Sequence, residues 1–258
     1  MRSTFSLVEP LKAERKIKLL IEYDGAGYAG WQRQNNQPTV QEAVEKALSR
    51  MLNRRVVVHG AGRTDAGVHA LEQVAHFVCT EAYLPEVFKR ALNSLLPSDI
   101  VILYAEEAVS EFHARYSALS KTYRYLISNR STPSALERNR VWYYPVPLDL
   151  EPMQESLAMI EGVHDFSSFR AQGSQSRTSL RTVFEQSIAR DSSGLISITL
   201  CADGYLRHMV RTLVGTVVEV GRGKLSPLDF KAILLAHNRS RAGPTAPPQG
   251  LYLVHVTY

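Results

Sequence analysis

The chain has 258 residues, of which 45% are hydrophobic and 21% are charged, a composition typical of soluble globular proteins. No run of residues approaches the roughly 20 apolar residues of a membrane-spanning helix, and nothing near Met1 resembles a signal peptide. The net charge of +5 and the pI near 9.2 permit a polyanionic partner without requiring one.

The first 112 residues alternate strands and helices. Residues 1–15 lack periodicity, and we expect them to form a flexible terminus. Thr39 and Glu42 form a capping-box pattern at the start of an amphipathic helix. The other predicted elements are strands at residues 17–23, 56–59, 73–79 and 100–105 and a helix at residues 84–96. Their order, β-α-β-β-α-β, is that of the ferredoxin-like arrangement.

The rest of the chain repeats this order if one extra helix, at residues 227–237, is set aside. The predicted elements are strands at residues 121–127, 182–190, 195–201 and 251–256, helices at 150–160 and 205–220, a polar loop at 129–140 and a flexible arm at 172–179. We therefore expect two α+β halves, residues 16–112 and 113–258, with sheets that face each other or join across a cleft.

A glycine-rich segment, residues 24–30, follows the first predicted strand and fits the pattern G-x-G-x-x-G. A dinucleotide site would require these glycines to open a helix whose N-terminus holds the pyrophosphate. Here a polar stretch ending in Pro38 follows, and the helix starts only at Thr39. The pattern therefore argues against a dinucleotide site.

A short loop between two predicted strands, residues 60–70, holds three glycines together with Arg63 and Asp65. Glycine lets a backbone approach a ligand closely, and functional groups tend to lie on loops held by a rigid scaffold. Asp65 either forms the centre of an active site or caps backbone amides in a tight connection. Local composition alone gives these two interpretations equal weight.

Two residue pairs could complement such a site. Tyr123 and Tyr125 lie two apart on a predicted strand and share a face, which by itself favours a core stripe. Arg207 and Arg211 lie four apart on a predicted helix and border its buried stripe. A half-buried arginine is costly unless a carboxylate pairs with it, and Asp65 is a candidate partner.

Basic residues concentrate in the second half of the chain, mixed with aromatic ones. Arginines interleaved with aromatic side chains suit phosphate contacts and base stacking, whereas the plainer interpretation is a solvated basic face. The residues concerned are Arg170, Arg177, Arg181, Arg207, Arg211, Arg222, Lys224, Phe166, Phe169 and Tyr205.

Histidines and cysteines give no metal or disulfide signal. The spacing of His59, His69 and His76 does not force these side chains together, and core or surface histidines are commoner than ligands. No C-x-x-C pattern predicts a zinc site. Cys79 and Cys201 lie in separate strand-like segments, which favours free thiols in a reducing cytoplasm.

Short motifs from about residue 17 to the C-terminus match, in order, those of one known family. They are Glu22-Tyr23-Asp24-Gly25, residues 30–34, 61–69, 112–118, 123–125, 164–170, 208–211 and 247–253. On these residues the chain resembles the tRNA pseudouridine synthase A family. One departure is Thr212, where the family pattern usually has asparagine; it leaves the chemistry intact but can alter local helix packing.

The resemblance implies an α+β pseudouridine synthase fold, in which two ferredoxin-like halves form a central antiparallel sheet and a positively charged cleft. It implies an isomerase that converts uridine to pseudouridine in the anticodon stem-loop of tRNA, at nucleotides 38–40. It also implies a cytoplasmic homodimer that needs neither cofactor nor metal and does not bind membranes.

By resemblance, Asp65 is the catalytic nucleophile, Tyr123 lies beside the target base, and Arg211 pairs with Asp65. Arg63 is implied to help extrude the base. Further RNA contacts are expected from Arg33, Arg170, Arg207 and His208.

The chemistry of isomerisation fits these roles. Breaking the bond from C1′ to N1 builds positive charge on the sugar, which an ionised carboxylate stabilises or traps. Whether Asp65 attacks the sugar or the base stays open. A stem uridine must be flipped out at a cost of a few kcal/mol, which an inserted Arg63 would partly offset. An ordinary tyrosine is a weak base because its pKa is near ~10, so proton transfer by Tyr123 is the weaker assignment.

Two other functions compete with this hypothesis. Ferredoxin-like sheets also bind RNA by aromatic stacking without any chemistry. A glycosidase would need two paired acids, and the Asp65 loop offers no second one.

Overall fold

The computed structural model describes residues 14–171, 173 and 177–258. The predicted flexible terminus lies outside the described residues up to residue 13, and Arg15 already belongs to the first strand. Of the predicted flexible arm, residue 172 and residues 174–176 also lie outside the described part of the chain.

The strands of the described chain are β1 Arg15–Tyr23, β2 His59–Gly60, β3 His69–Cys79, β4 Ile100–Ala108, β5 Ser120–Ser128, β6 Trp142–Tyr143, β7 Gly162–Asp165, β8 Leu180–Arg190, β9 Leu195–Ala202 and β10 Leu251–Thr257. They form one ten-stranded sheet in the order β4-β1-β3-β10-β5-β9-β8-β7, with β2 paired to β3 and β6 paired to β5. Neighbouring strands are antiparallel except β10 with β3 and β6 with β5. The α+β class with a mostly antiparallel sheet is confirmed.

The helices of the described chain are α1 Val40–Leu52, α2 Pro85–Leu95, α3 Leu150–Ala158, α4 Met209–Gly221 and α5 Pro227–Leu235. The predicted capping box is confirmed only in its N-cap half, because Thr39 Oγ1 accepts a bond from the Glu42 N–H at 3.4 Å, while among the described residues the Glu42 side chain does not accept from the Thr39 N–H. The Glu42 carboxylate pairs with Lys46 at 3.0 Å. None of these helices is long and apolar enough to cross a bilayer.

The sheet is continuous because β10, the last strand, lies between β3 and β5. It pairs with β3 through Tyr252 opposite His69 and Leu253 opposite Ala70. On its other edge, Leu253 faces Tyr123 of β5. The end of the chain therefore joins the N-terminal strands edge to edge with the C-terminal strands, and it brings β5 to within two strands of the Asp65 loop.

The predicted strand at residues 56–59 is wrong for its first three residues. The alternation of buried Val56, exposed Val57 and buried Val58 is real. However, helix α1 supplies the hydrogen-bond partners that a neighbouring strand would otherwise provide. The Val58 N–H donates to Glu45 Oε1 at 3.0 Å, and Gln41 Nε2 donates to the Val58 carbonyl at 2.9 Å. Because side chains satisfy the backbone, the segment is extended without belonging to the sheet.

The predicted start of the long helix at residue 205 is also wrong, because α4 begins at Met209. His208 precedes it with φ of 63°, a left-handed conformation that interrupts the helix. Arg207 therefore does not lie one helical turn before Arg211. The residues predicted to form the buried stripe of this helix are buried from Met209 onward. The rest of α4 is also buried on nearly all sides.

Two short strands were not predicted. Residues 162–165 form β7 along β8 rather than a simple exit from α3, which ends at Ala158. Trp142 and Tyr143 form β6 beside β5, just after the predicted polar loop. Both are too short to show a periodic pattern, so their neighbours in the sheet define them.

Candidate active site

The Asp65 loop, residues 61–68, is seated on the glycine segment, residues 24–30, and on the residue that follows it. The Trp31 N–H donates to the Thr64 carbonyl at 3.2 Å, and the Gly67 N–H donates to the Tyr28 carbonyl at 3.2 Å. Beneath them, the Tyr23 hydroxyl and Thr64 Oγ1 are 2.8 Å apart in a buried hydrogen bond. Backbone and side-chain bonds therefore fix the residue next to Asp65.

The glycines of that segment allow this close contact. A Cβ at Gly25 would lie 1.9 Å from the Val68 carbonyl oxygen, and one at Gly30 would lie 2.4 Å from the Thr64 carbonyl oxygen. Gly30 also has φ of 98°, which favours glycine. The G-x-G-x-x-G pattern thus supports the Asp65 loop, and α1 begins only at Val40.

Bonds at both ends hold the Asp65 loop. Gln73 Nε2 donates to the Gly62 carbonyl at 2.9 Å. At the other end, His69 Nδ1 accepts from the Gly25 N–H at 3.1 Å, and its Nε2 lies 3.0 Å from the Asn139 carbonyl oxygen. Burial lowers the pKa of His69, so the neutral ring that this arrangement needs is favoured.

Asp65 faces two groups from the start of α4. Its Oδ2 lies 3.1 Å from Arg211 Nη1 and 3.6 Å from His208 Nε2. The Asp65 side chain keeps 26% of its surface exposed, whereas that of Arg211 keeps 13%. The candidate pair inferred from the cost of burying an arginine is therefore present in the structure. Because one-quarter of the carboxylate side chain is open, a substrate can still reach it.

The Arg211 guanidinium is fixed independently of Asp65. Its Nε donates to the Ala246 carbonyl at 2.8 Å, while the Ala246 N–H donates to the Arg211 carbonyl at 3.0 Å. Thr212 is fully buried, and its Oγ1 lies 3.4 Å from Thr245 Oγ1, so it ties α4 to the same segment. Residues 245 and 246 therefore orient the cation toward the carboxylate, a role that the sequence did not predict.

The His208 ring approaches the same carboxylate oxygen of Asp65 as Arg211 does. Burial lowers the pKa of His208, the neighbouring Arg211, Arg207 and Arg239 act in the same direction, and the Asp65 carboxylate opposes them. The neutral imidazole is therefore favoured, and Arg211 is the cation that pairs with Asp65.

Tyr123 lies on β5 and shares its buried face with Tyr125, as predicted from their spacing. Its ring meets that of Tyr205 edge-on, with centroids 5.0 Å apart. Within the described residues its hydroxyl has no hydrogen-bond partner, whereas the Tyr125 hydroxyl donates to the Pro247 carbonyl at 2.7 Å. Burial raises the pKa of Tyr123 well above its ordinary value, and Asp65 contributes in the same direction.

The other predicted RNA contacts are dispersed. Arg63 and Arg207 are exposed and Arg170 is half-buried. Arg33 is exposed but bound to α1, 3.2 Å from Glu45 and 3.9 Å from Glu42. Arg63 lies two residues before Asp65 in the chain. Of these four arginines, only Arg33 forms an ion pair among the described residues.

Two parts of the predicted basic and aromatic cluster lie elsewhere. Phe166 and Phe169 are fully buried in the core, so they are not free to stack on bases. Arg222 and Lys224 both pair with Glu219 near the C-terminal end of α4. The spacing of these residues in the sequence could not distinguish a core phenylalanine from an exposed one.

One basic residue near the site was missed. Lys121 lies two residues before Tyr123 on β5, and strand alternation would have placed both on the same face. No group of three or more His, Cys, Asp or Glu side chains is placed to hold a metal ion in the part of the chain that the structure describes.

The sequence matches the family described as tRNA pseudouridine synthase over residues 19–117 and 157–258. The chain belongs to this family. It is 46% identical over 244 residues to tRNA pseudouridine synthase A of Acetivibrio thermocellus, which covers 95% of this chain and 100% of that protein. It is 47% identical over 245 residues to tRNA pseudouridine synthase A of Ruminiclostridium cellulolyticum, with coverage of 95% and 100%.

A third relative gives the same result. The chain is 44% identical over 245 residues to tRNA pseudouridine synthase A of Ehrlichia ruminantium, covering 94% of this chain and 99% of that protein. The family resemblance is therefore confirmed, and with it the class of enzyme, an isomerase.

Proposed function

We propose that this protein isomerises uridine to pseudouridine in the anticodon stem-loop of tRNA, with Asp65 as the nucleophile. The observation that carries the proposal is the ion pair between Asp65 and Arg211, whose side chains are 3.1 Å apart. Homologues named tRNA pseudouridine synthase A support tRNA as the substrate.

The proposed reaction moves one glycosidic bond from nitrogen to carbon. The bond from C1′ to N1 breaks, and its electron pair stays on the base. The base then turns, C5 forms a bond to C1′, and the C5 proton leaves while N1 regains one. An ionised Asp65 can stabilise or trap the electron-poor centre, and Arg211, 3.1 Å away, holds the carboxylate in position.

Tyr123 takes a neutral role in this proposal. Because burial raises its pKa well above the ordinary value, a phenolate is not available at neutral pH to remove the C5 proton. Its ring is held against Tyr205, and its hydroxyl is free of protein partners among the described residues. We assign it to packing against the target base and offering it a hydrogen bond.

The RNA is proposed to lie in a positively charged cleft between two ferredoxin-like halves, residues 16–112 and 113–258. The same strand order within each half supports this division: β4-β1-β3-β2 and β10-β5-β9-β8. Exposed Arg63 would insert into the stack that the flipped uridine leaves. The remaining proposed contacts are Arg33, Arg170, Arg207 and His208.

We further propose a cytoplasmic homodimer. Cys79 on β3 and Cys201 on β9 are both free thiols, which suits a reducing compartment. Sedimentation of the purified chain with and without tRNA measures the oligomeric state, and a monomer in both samples contradicts the dimer.

Tritium release tests the proposed function. With tRNA labelled at C5 of uridine, the unmodified protein should release tritium, whereas Asp65→Ala should release none and still bind tRNA. Tight tRNA binding without any release by the unmodified protein would favour an RNA-binding module instead. Turnover by Asp65→Ala would contradict the assignment of Asp65. A salt series completes the test, because binding through several phosphates weakens steeply as salt rises.

A further inference from the structure

Lys121 lies at the mouth of the candidate site. Gly62, in the Asp65 loop, faces it: a Cβ at Gly62 would be 3.6 Å from Lys121 Cε and 3.9 Å from the Tyr123 hydroxyl. The backbone of Lys121 is fixed by its place in β5, where it lies opposite Val256 of β10 and Ala202 of β9. Lys121, Tyr123 and the Asp65 loop therefore border the same space.

The ammonium of Lys121 is half-buried, yet no carboxylate lies within 4.0 Å of it and no acceptor bonds to it among the described residues. Its charged neighbours are mostly basic. Burial lowers the pKa of Lys121, Arg115 and Arg181 act in the same direction, and Asp203 opposes them. A half-buried cation without a partner is costly, so an anion from outside the protein would complete this site.

Arg115 adds positive charge to these surroundings. Its side chain is exposed, and its guanidinium lies 5.8 Å from the centroid of the Tyr116 ring. The nearby Asp203 carboxylate accepts from the Thr182 N–H at 3.1 Å, a bond that directs it toward β8. Positive charge therefore exceeds negative charge around Lys121.

We propose that Lys121 binds a backbone phosphate of the RNA strand beside the flipped-out uridine. The inference rests on the proposed function, because it needs a nucleotide at Asp65 and Tyr123. The phosphate of a nucleotide held there is attached to its sugar. It would therefore lie at the edge of the site, where Lys121 is. Lysine is a compact point charge that suits a phosphate oxygen. Lys121 is thus a positioning residue that holds the strand while Asp65 acts.

The variants Lys121→Gln and Lys121→Arg test this role, with Lys224→Gln as the matched control. Lys224 is exposed and pairs with Glu219 at 3.7 Å. This control therefore removes one lysine charge beyond the C-terminal end of α4, whereas Arg211 lies at its N-terminal end. Tritium release gives kcat and KM, and tRNA affinity is measured in an Asp65→Ala background at several salt concentrations. Thermal unfolding of each variant separates misfolding from lost contacts.

Lys121→Gln should raise KM and the Kd for tRNA about tenfold, the effect of losing one charged hydrogen bond, with kcat nearly unchanged. Its salt slope should fall by about one, Lys121→Arg should recover most of the affinity, and Lys224→Gln should match the unmodified protein. An unchanged KM and salt slope would overturn the proposal. A loss confined to kcat, with an altered pH–rate profile, would also overturn it, because Lys121 would then act in the chemistry.

A change in the RNA distinguishes a phosphate from any other partner. A tRNA carrying one uncharged methylphosphonate linkage beside the target uridine should bind the unmodified protein about tenfold more weakly. The same linkage should cost Lys121→Gln nothing further; an equal additional loss in that variant contradicts the contact. Failure of the proposed function would look different, because the unmodified protein would then release no tritium from any tRNA.

Discussion

Asp65 and Arg211 are 146 residues apart in the chain, and their side chains meet at 3.1 Å. Asp65 belongs to a loop before β3, whereas Arg211 lies in the first turn of α4. In the sheet itself, β3 and β10 pair through only two rows of residues where the N-terminal and C-terminal strands meet. The ion pair therefore connects the two parts of the molecule at the point where the chemistry is proposed.

Arg211→Leu should reduce kcat about a hundredfold, because the carboxylate loses the guanidinium that lies 3.1 Å away and orients it. Arg222→Leu is the matched control, since Arg222 follows the C-terminal end of α4 and pairs with Glu219. A normal rate for Arg211→Leu would exclude the pair from catalysis.

Gly25→Ala should impair both folding and activity, and Gly27→Ala should impair neither. A Cβ at Gly25 would lie 1.9 Å from the Val68 carbonyl oxygen, whereas one at Gly27 would have no atom within 4 Å. Forcing the Asp65 loop away from its seat should cost about 1–3 kcal/mol of unfolding free energy. Urea unfolding and tritium release measure the two effects, and equal behaviour of the two variants would show that the loop is not seated on this segment.

Local patterns in the sequence predicted the elements whose residues are periodic. The cap at Thr39 and the shared face of Tyr123 and Tyr125 depend on neighbours a few residues away, so they could be inferred. Asp65 was singled out by its glycines, but only its family resemblance distinguished a catalyst from a cap. The pairing with Arg211 was a candidate from the cost of burying a cation, and the structure shows the contact.

Other features depend on contacts between distant segments, which no local pattern encodes. Val58 is extended, but its backbone bonds to side chains of α1. The alternation of buried and exposed residues therefore predicted a strand where there is none. His208 takes φ of 63° directly before α4, so the helix begins at Met209 rather than at residue 205. His59, His76 and His113 form a cluster in which the rings of His76 and His113 have centroids 4.7 Å apart. Their spacing in the sequence gave no reason to expect this.

Tyr123→Phe should weaken tRNA binding only about two- to tenfold, because the ring proposed to pack against the base is kept and one neutral hydrogen bond is lost. Tyr123→Ala should weaken binding. The elevated pKa of Tyr123 predicts that kcat does not rise between about pH 7 and pH 10, as it would if a phenolate were the base. A tenfold rise per pH unit that disappears in Tyr123→Phe would contradict the neutral role.

The histidine cluster should make stability fall in mild acid. Burial, with the neighbouring His113, His59 and Lys16, lowers the pKa of His76 to about 4. The unfolded chain binds that proton near the ordinary value of about 6.5, so stability is complete above it and is lost as pH falls toward about 4. His76 Nδ1 also accepts from the Ala114 N–H at 3.2 Å, a bond that protonation of this nitrogen removes.

Urea unfolding at about pH 7.5 and pH 4.5 should show this group contributing on the order of 2 kcal/mol to the difference. His76→Gln should be less stable at neutral pH but should lose less on acidification. His164→Gln, on β7 outside the cluster, is the control and should follow the unmodified protein. If His76→Gln lost as much stability in acid as the unmodified protein, the acid sensitivity would belong to other groups.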